Sequence, residues 1–353
     1  MRPRGSVPCA LVGAVVLALL TTGCSSDNGT PDVPTRDPAV AAVAPATTAA
    51  PAGEVARLAN PIGALLAESG TGQLVALDAS SPAATVLFVL DPATFQRRDP
   101  AGAPDPAVKT LPLPAPATAL VQGKPGEVLL PARDRILRVD LATGVSTEIP
   151  VDGDARSVRY RPDGTFVVGT SDGKVRTVTA TGEVVRTVSG LVSADVLATT
   201  PDHIAVLDRR QTSLTEIDPS RDRLGLALRA GDGATDMIAD HFGRVIVADT
   251  AGGELLVYTT GPLVLRQRFP VGSSPYALAY DRRSETVWVT CTQSNEVVGF
   301  DLSTGIPKEV GRFPTVRQPD SVTIDERTGD LFVGSATGDG LQRIPADERK
   351  RGQ

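Results

Sequence analysis

Six residues with side chains suited to ligand binding recur at the same point of a repeated sequence unit. Each lies at the start of a short apolar strand that opens its unit: Thr118, Arg156, Asp195, Asp236, Tyr276 and Asp320. In the first unit the equivalent position is the apolar residue Ile62. If the units are arranged in a circle, these positions surround one axis. The sequence therefore predicts a ligand site at the mouth of an axial channel.

Asp195 and Asp236 come from successive units and predict a site for a divalent metal. Calcium takes about six to eight oxygen ligands, which two carboxylates, carbonyl groups and water can supply. With Asp320 on the same mouth, a bound metal would polarise an ester carbonyl, as in a lactonase-like hydrolase. The structural alternative is that each aspartate caps a turn and that Arg156 pairs with Asp195. Both interpretations stay open at this stage.

Other catalytic patterns are missing from the sequence. It has no Gly-x-Ser-x-Gly, His-Glu-x-x-His or Cys-x-x-Cys motif and no phosphate loop. His203 and His241 are the only histidines, which excludes a site with several histidine ligands, and we expect both in solvated turns. Cys291 falls at the end of a strand on the opposite face, about 15 Å away from them. We therefore expect Cys291 to be a small, partly buried residue.

The elements that would position these residues form a repeat. The stretch VWVTCTQSNEVVGFDLSTG (287–305) predicts two short strands joined by a turn and followed by a second turn. Trp288 within it fits packing between units better than a stacking platform shared with Tyr276. The first strand of this pattern recurs at 74–76, 128–130, 166–168, 204–206, 245–247, 287–289 and 331–333, with spacings of 54, 38, 38, 41, 42 and 44 residues.

Seven units of about 40 residues with several short strands each are typical of a β-propeller. We predict an all-β fold with seven four-stranded antiparallel blades over residues 54–347. The last unit has room for three strands only, so the chain near Val55 is expected to supply its fourth strand and to close the ring. A two-sheet sandwich is the alternative, but seven units in one register disfavour it.

Two segments carry a resemblance to known repeat families. PYALAYDRRSETVWVTCTQSNEVVGFDLSTG resembles the YVTN-type propeller repeat, and GRVIVADTAGGELLVY is similar to the related NHL repeat. Shorter segments, among them VLDRRQTSLTEI and GPLVLRQRFPV, resemble a group of mycobacterial lipoproteins. These resemblances imply a fold and a cellular address. They imply no chemistry, because propellers serve as hydrolases, dehydrogenases and scaffolds alike.

The N-terminus is predicted to be a lipoprotein signal peptide (1–23). Arg2 and Arg4 precede an apolar run of eleven residues (10–20), too short to span a bilayer. The following Leu-Thr-Thr-Gly-Cys resembles the bacterial lipobox, with a departure at Thr21, and implies lipidation of Cys24. An ordinary cleaved signal with a chance cysteine is the alternative. Residues 24–53, rich in Ala, Pro and Thr, are expected to form a flexible tether, and 348–353 a charged tail.

Composition limits the classes of partner. The net charge of −6 becomes −8 when Arg2 and Arg4 leave with the signal, which argues against nucleic-acid binding. The sequence thus predicts a monomer anchored by lipid on the extracytoplasmic side of the cell membrane. We expect it to act as a binding or scaffold module for an envelope protein or a small ligand, with the hydrolase as the alternative. Calcium at the mouth is the only cofactor for which ligands are predicted.

Overall fold

The regular structure in the described part of the chain is almost entirely antiparallel β-sheet. The computed structural model describes residues 34–58, 60–81, 84–95, 108–117, 119–218, 221 and 223–351. Besides strands, this part of the chain contains a 3-10 turn (Pro92–Thr94) and a short C-terminal helix, α1 (Ala346–Arg351). No helix in these ranges is both long and apolar enough to cross a membrane. The predicted signal peptide and Cys24 lie outside the described residues.

The first half of the chain forms one continuous ladder of ten strands. They are hydrogen-bonded in the order β2-β3-β4-β5-β7-β8-β9-β10-β11, with β6 also paired to β7. Their bounds are β2 (Ile62–Ala67), β3 (Leu74–Asp78), β4 (Ala84–Leu90), β5 (Val108–Ala117), β6 (Val121–Gln122), β7 (Glu127–Asp140), β8 (Ser146–Tyr160), β9 (Phe166–Thr170), β10 (Val175–Val178) and β11 (Val184–Val188).

The second half forms separate four-stranded sheets, in each of which consecutive strands pair. The first contains β12 (Val196–Thr199), β13 (Ile204–Asp208), β14 (Ser213–Ile217) and β15 (Leu224–Arg229). The second contains β16 (Ala234–Ala239), β17 (Arg244–Asp249), β18 (Glu254–Thr259) and β19 (Val264–Pro270). The third contains β20 (Pro275–Asp281), β21 (Thr286–Cys291), β22 (Glu296–Asp301) and β23 (Lys308–Pro314).

The last sheet joins the two ends of the described chain. It contains β24 (Pro319–Ile324), β25 (Leu331–Ser335) and β26 (Leu341–Ile344), and β26 pairs antiparallel with β1 (Glu54–Ala56). The sequence predicted this pairing near Val55, and the structure has it, with Val55 opposite Gln342. All these sheets are consistent with a β-propeller.

The core lies between neighbouring sheets. The second strand of the repeat is buried over its whole length in β9, β13, β21 and β25, which places apolar side chains on both faces of the strand. The fourth strand is largely exposed, as in β15 and β19. Val, Leu, Ile and Ala supply most of the buried side chains, as the composition predicted. A strand buried on both faces requires a sheet on each side of it, so the sheets stack.

A β-bulge lies near the start of the first strand of the repeat. We call β2, β6, β8, β12, β16, β20 and β24 the inner strands. In β2, β16, β20 and β24 the register to the second strand shifts within the first few residues, and in β8 it shifts where the pairing with β9 begins, so that an extra residue is left unpaired. In β16 this residue is Thr235, so Asp236 forms the second pair with β17 although it is the third residue of the strand.

Residues 36–52, here the N-terminal segment, lie on the propeller. Arg36 donates Nη1 to the carbonyl oxygen of Asp232 at 2.7 Å, and the N–H of Ala42 donates to Ser274 Oγ at 3.0 Å. The N–H of Ala52 donates to the carbonyl oxygen of Pro314 at 2.9 Å. The segment therefore crosses three successive sheets. Over these residues the structure differs from the flexible tether that composition predicts.

The C-terminal helix α1 also packs on the sheets. Arg349 is 5% exposed, lies over the ring of Trp288 at 4.9 Å from its centroid, and forms an ion pair with Asp281 at 3.4 Å. The helix begins with the N–H of Ala346, which donates to Asp330 Oδ1 at 3.0 Å. A buried arginine beside a buried carboxylate holds this end of the chain in place, in contrast to the free charged tail expected from the sequence.

A buried carboxylate, Glu68, connects the first unit to the second. It accepts hydrogen bonds from the N–H groups of Gly70, Thr71 and Gly126, from the hydroxyl of Thr71 and from Nε2 of Gln122, all between 2.7 and 2.9 Å. Burial alone would raise its pKa, but the Thr71 hydroxyl and these N–H groups lower it from 4.5 to about 2.

Glu68→Gln is expected to lower the free energy of unfolding at pH 7 by about 2 kcal/mol, because the amide cannot accept this set of donors. Since the folded pKa is depressed, the stabilisation is complete above pH 4.5 and is lost as the pH falls towards 2. Denaturant unfolding of both proteins between pH 2 and 7 measures it. Glu183→Gln, in an exposed turn, is the control; an equal loss in both variants would contradict the prediction.

Candidate functional site

The inner strands surround one cavity of about 810 Å³, which we call the channel. Each of the inner strands contributes residues to its wall. Apolar residues such as Leu66, Leu120 and Ile238 alternate there with polar groups, and the two kinds share the exposed surface about equally. Three of the predicted site residues also line it: Asp236, Tyr276 and Asp320. We call the side on which the inner strands begin the start face, and the side on which they end the end face.

Asp236 is held by the backbone of two neighbouring sheets. Its Oδ1 accepts the N–H of Met237 at 2.8 Å, and its Oδ2 accepts the N–H of Leu278 at 3.0 Å. Burial raises the pKa of its carboxyl, while these two hydrogen bonds and the positive charges of Arg159 and Arg209 act in the opposite direction. Its oxygens are thus already engaged in holding β16 to β20.

Tyr276 and Asp320 lie beside Asp236 at the start face. Burial raises the pKa of the Tyr276 hydroxyl, and the negative charges of Asp320 and Asp236 raise it further. The positive charge of Arg209 acts in the opposite direction. Burial also raises the pKa of Asp320, against a hydrogen bond of 2.8 Å from Nε2 of Gln318 to its Oδ1. This end of the channel is therefore acidic and partly desolvated.

Arg156 and Asp195 do not line the channel and do not pair with each other. Arg156 forms an ion pair with Asp154 at 2.9 Å, with its side chain 42% exposed. Asp195 accepts the hydroxyl of Ser193 at 2.7 Å and the N–H of Arg209 at 2.9 Å, as a turn-capping carboxylate does. Thr118 lies outside the described residues. The structure thus brings three of the six predicted residues together in the wall.

Sequence reasoning missed Arg159, which lines the channel two residues beyond the bulge of β8. Its Nη1 donates to the carbonyl oxygen of Val158 at 3.0 Å. Burial lowers the pKa of its guanidinium, and the carboxylate of Asp236 acts in the opposite direction. The alternation along VRY (158–160) was the available signal, because it places Arg159 on the face of the strand opposite to buried Val158.

The N-terminal segment covers the start face beside the channel. Arg209 donates Nη2 to the carbonyl oxygen of Ala39 at 2.6 Å. Gln318 donates Nε2 to the carbonyl oxygen of Ala42 at 3.0 Å and accepts the N–H of Ala44 at 2.7 Å. Ala44 is buried, whereas Val43 is 83% exposed. Gln318 therefore contacts both the segment and Asp320 in the channel wall.

No three His, Cys, Asp or Glu side chains in the described ranges are grouped as metal ligands. Asp195 and Asp236 each have both carboxylate oxygens engaged by donors of the protein. The calcium site stays a prediction for which these contacts provide no support.

The remaining reactive side chains have structural surroundings. Cys291 is fully buried, and burial raises the pKa of its thiol to about 12, which leaves no thiolate at neutral pH. Trp288 packs over Gly299 of its own sheet and lies in one buried cluster with Val322 and Leu331 of the next sheet, as expected for packing between units. His241 is not fully solvated: its Nδ1 lies 2.7 Å from the hydroxyl of Tyr280, a residue of the channel wall.

Solved structures with the same architecture confirm the fold class. Hydrazine synthase of Kuenenia stuttgartiensis superposes with a TM-score of 0.67 at 13% identity, covering 82% of this chain and 97% of that one. A catalytically inactive virginiamycin B lyase from Staphylococcus aureus with quinupristin gives 0.64 at 13% identity, over 83% and 98% of the two chains. A streptogramin B lyase gives 0.65, also at 13%, over 82% and 96%. These are β-propellers, and at such identity the likeness shows the fold alone.

No family model matches the chain, and no curated protein is similar to it in sequence.

Gln318→Ala is expected to release the middle of the N-terminal segment, because it removes both hydrogen bonds to Ala42 and Ala44. Hydrogen exchange at the amide of Ala44 should become at least about tenfold faster. Gln293→Ala, an exposed residue on the same face with no hydrogen bond to the segment, is the matched control. Unchanged exchange in Gln318→Ala would show that other contacts hold the segment.

Proposed function

We propose that this protein is a lipid-anchored binding module on the extracytoplasmic side of the cell membrane, and that its channel holds a small ligand. The observation that carries the proposal is the channel of about 810 Å³, whose wall combines many apolar residues with convergent polar groups. That combination is typical of small-molecule sites. The exposed loops around it are available to an envelope protein.

The sheets are best explained as seven blades. Four blades are the separate four-stranded sheets, the last completed by β1. The ten-stranded ladder supplies the other three if it is divided between β5 and β6 and at 152–154 in β8, with β7 counted as two strands that meet at Arg133–Asp134. Asp134 has a positive φ of 61°, as in a hairpin turn, and the pairing of β8 passes from β7 to β9 near Asp154. Seven inner strands around one channel agree with this division.

Lipidation at Cys24 would attach the start face to the membrane. Twelve residues separate Cys24 from Arg36, the first residue of the N-terminal segment. Fully extended, they reach at most about 40 Å. The start face would then lie near the membrane, and the end face of the channel would be open to the periplasm or the cell envelope. Monomeric behaviour and no affinity for nucleic acid belong to this proposal, given the net charge of −6.

The metal-dependent hydrolase is less favoured. Its two proposed ligands, Asp195 and Asp236, are occupied by separate sets of donors, and only Asp236 lines the channel. The activities of hydrazine synthase and of the lyases belong to those proteins, and a 13% likeness does not carry them over.

Cys24→Ser is expected to move the protein from the membrane fraction to the soluble fraction and to abolish incorporation of labelled palmitate, because the thiol is the acceptor of the lipid. Fractionation of cells that express either form measures this. Cys9→Ser, within the predicted signal, should leave both readouts unchanged. Membrane retention of the Cys24 variant would refute the anchor.

A further inference from the structure

Arg159 is the one charged side chain in an otherwise uncharged layer of the described channel wall. The pairing of each inner strand with its neighbour places Arg159 at the same level along the channel as Leu66, Ala198, Ile238 and Ala279 of four other sheets. Thr323 of β24 occupies the same level. The other side chains at this level are small or apolar and would keep it free of water. A guanidinium is therefore not needed at this level to pack the wall.

Most N–H donors of the Arg159 guanidinium have no acceptor in the described protein. Among the described residues its only hydrogen bond is the one from Nη1 to the carbonyl oxygen of Val158, and it forms no ion pair within 4.0 Å. The carboxylate of Asp236 attracts it through space and offsets part of its charge. A desolvated guanidinium whose remaining donors face a cavity is typical of a ligand site.

The buried carboxylates of the channel lie on the start-face side of Arg159. Asp236 and Asp320 are about two residues and therefore about 7 Å nearer to the start face than Arg159. They repel an anion, so the layer of Arg159 is the place where one could bind. The lining also has a carboxylate at the end face, Glu326, but it is exposed to solvent. The N-terminal segment lies over the start face beside the channel, through Ala39 and Ala42, so we take the end face as the side of entry.

We propose that Arg159 binds the anionic group of a small amphipathic ligand, a carboxylate or phosphate on an apolar body, which enters the channel from the end face. This inference rests on the channel as a binding site and makes the ligand class specific. The planar guanidinium offers paired N–H donors to either anion. Leu66, Leu120 and Ile238 provide apolar wall for the body of the ligand.

The test uses the full-length chain with Cys24→Ser, so that no lipid is present, and three probes of one shape: 1-naphthoate, 1-naphthyl phosphate and the neutral 1-naphthamide. Equilibrium dialysis gives the dissociation constant of each. We expect at least one anionic probe to bind about tenfold or more tightly than the amide. Arg159→Leu, which copies Leu66 of the same layer, should remove that preference and change amide binding less than twofold. Arg159→Lys should retain most of it.

Arg135→Leu, which removes an exposed arginine paired with Glu148, is the matched control and should bind all probes as the parent does. The fluorescence of Trp288 during melting shows whether each variant is folded; if Arg159→Leu is not, Arg159→Gln replaces it. Anion binding that survives loss of the charge, or a parent that binds no anionic probe better than the amide, would overturn the inference. The preference between naphthoate and naphthyl phosphate identifies the anion. Failure of the membrane anchor would leave these results unchanged.

Discussion

The structure depends on a strand that must be covered from both sides. In second strands of the repeat such as β13 and β21 every residue is buried, so such a sheet is not stable until another sheet lies on each of its faces. Val, Leu, Ile and Ala suffice for this because the sheets approach closely, as where a Cβ added at Gly334 of β25 would lie 2.7 Å from Ile62 of β2. Stacking in turn directs the first strand of each sheet towards a common interior. The channel is a consequence of how the core is buried.

The polar groups of that interior are divided along its length. Asp236, Tyr276 and Asp320 gather at the start face, where backbone N–H groups and Gln318 hold the carboxylates in place. Arg159 lies further along, among apolar neighbours. The buried charges of the channel therefore follow one another along its axis, with two carboxylates near the start face and a cation beyond them, and the N-terminal segment lies over the start face beside the channel.

The repeat could be predicted from sequence because apolar strands and Asp/Gly turns recur at nearly constant spacing, and β1 could be predicted because the last unit lacked a strand.

The channel residues were harder to predict. The register between the first two strands differs by one residue from sheet to sheet and leaves no mark in composition: Asp236 lies opposite Ala248, whereas Asp195 precedes the pair of Val196 with Leu207. Aligning strands by counting therefore grouped Asp236 with Asp195, although they occupy different levels. Arg159 looked like one exposed arginine among thirty. The N-terminal segment is held by side chains of Arg209 and Gln318 that bind its main chain, and its own Ala- and Pro-rich residues give no sign of this.

The pairing of β1 with β26 has a consequence for how the molecule is made. β1 is synthesised well before its partner Leu341–Ile344, because all the other strands lie between them in the chain. The most non-local contact of the fold can therefore form only after these strands have been made, and such contacts are slow because a long loop must close first. Until then β26 has an unpaired edge.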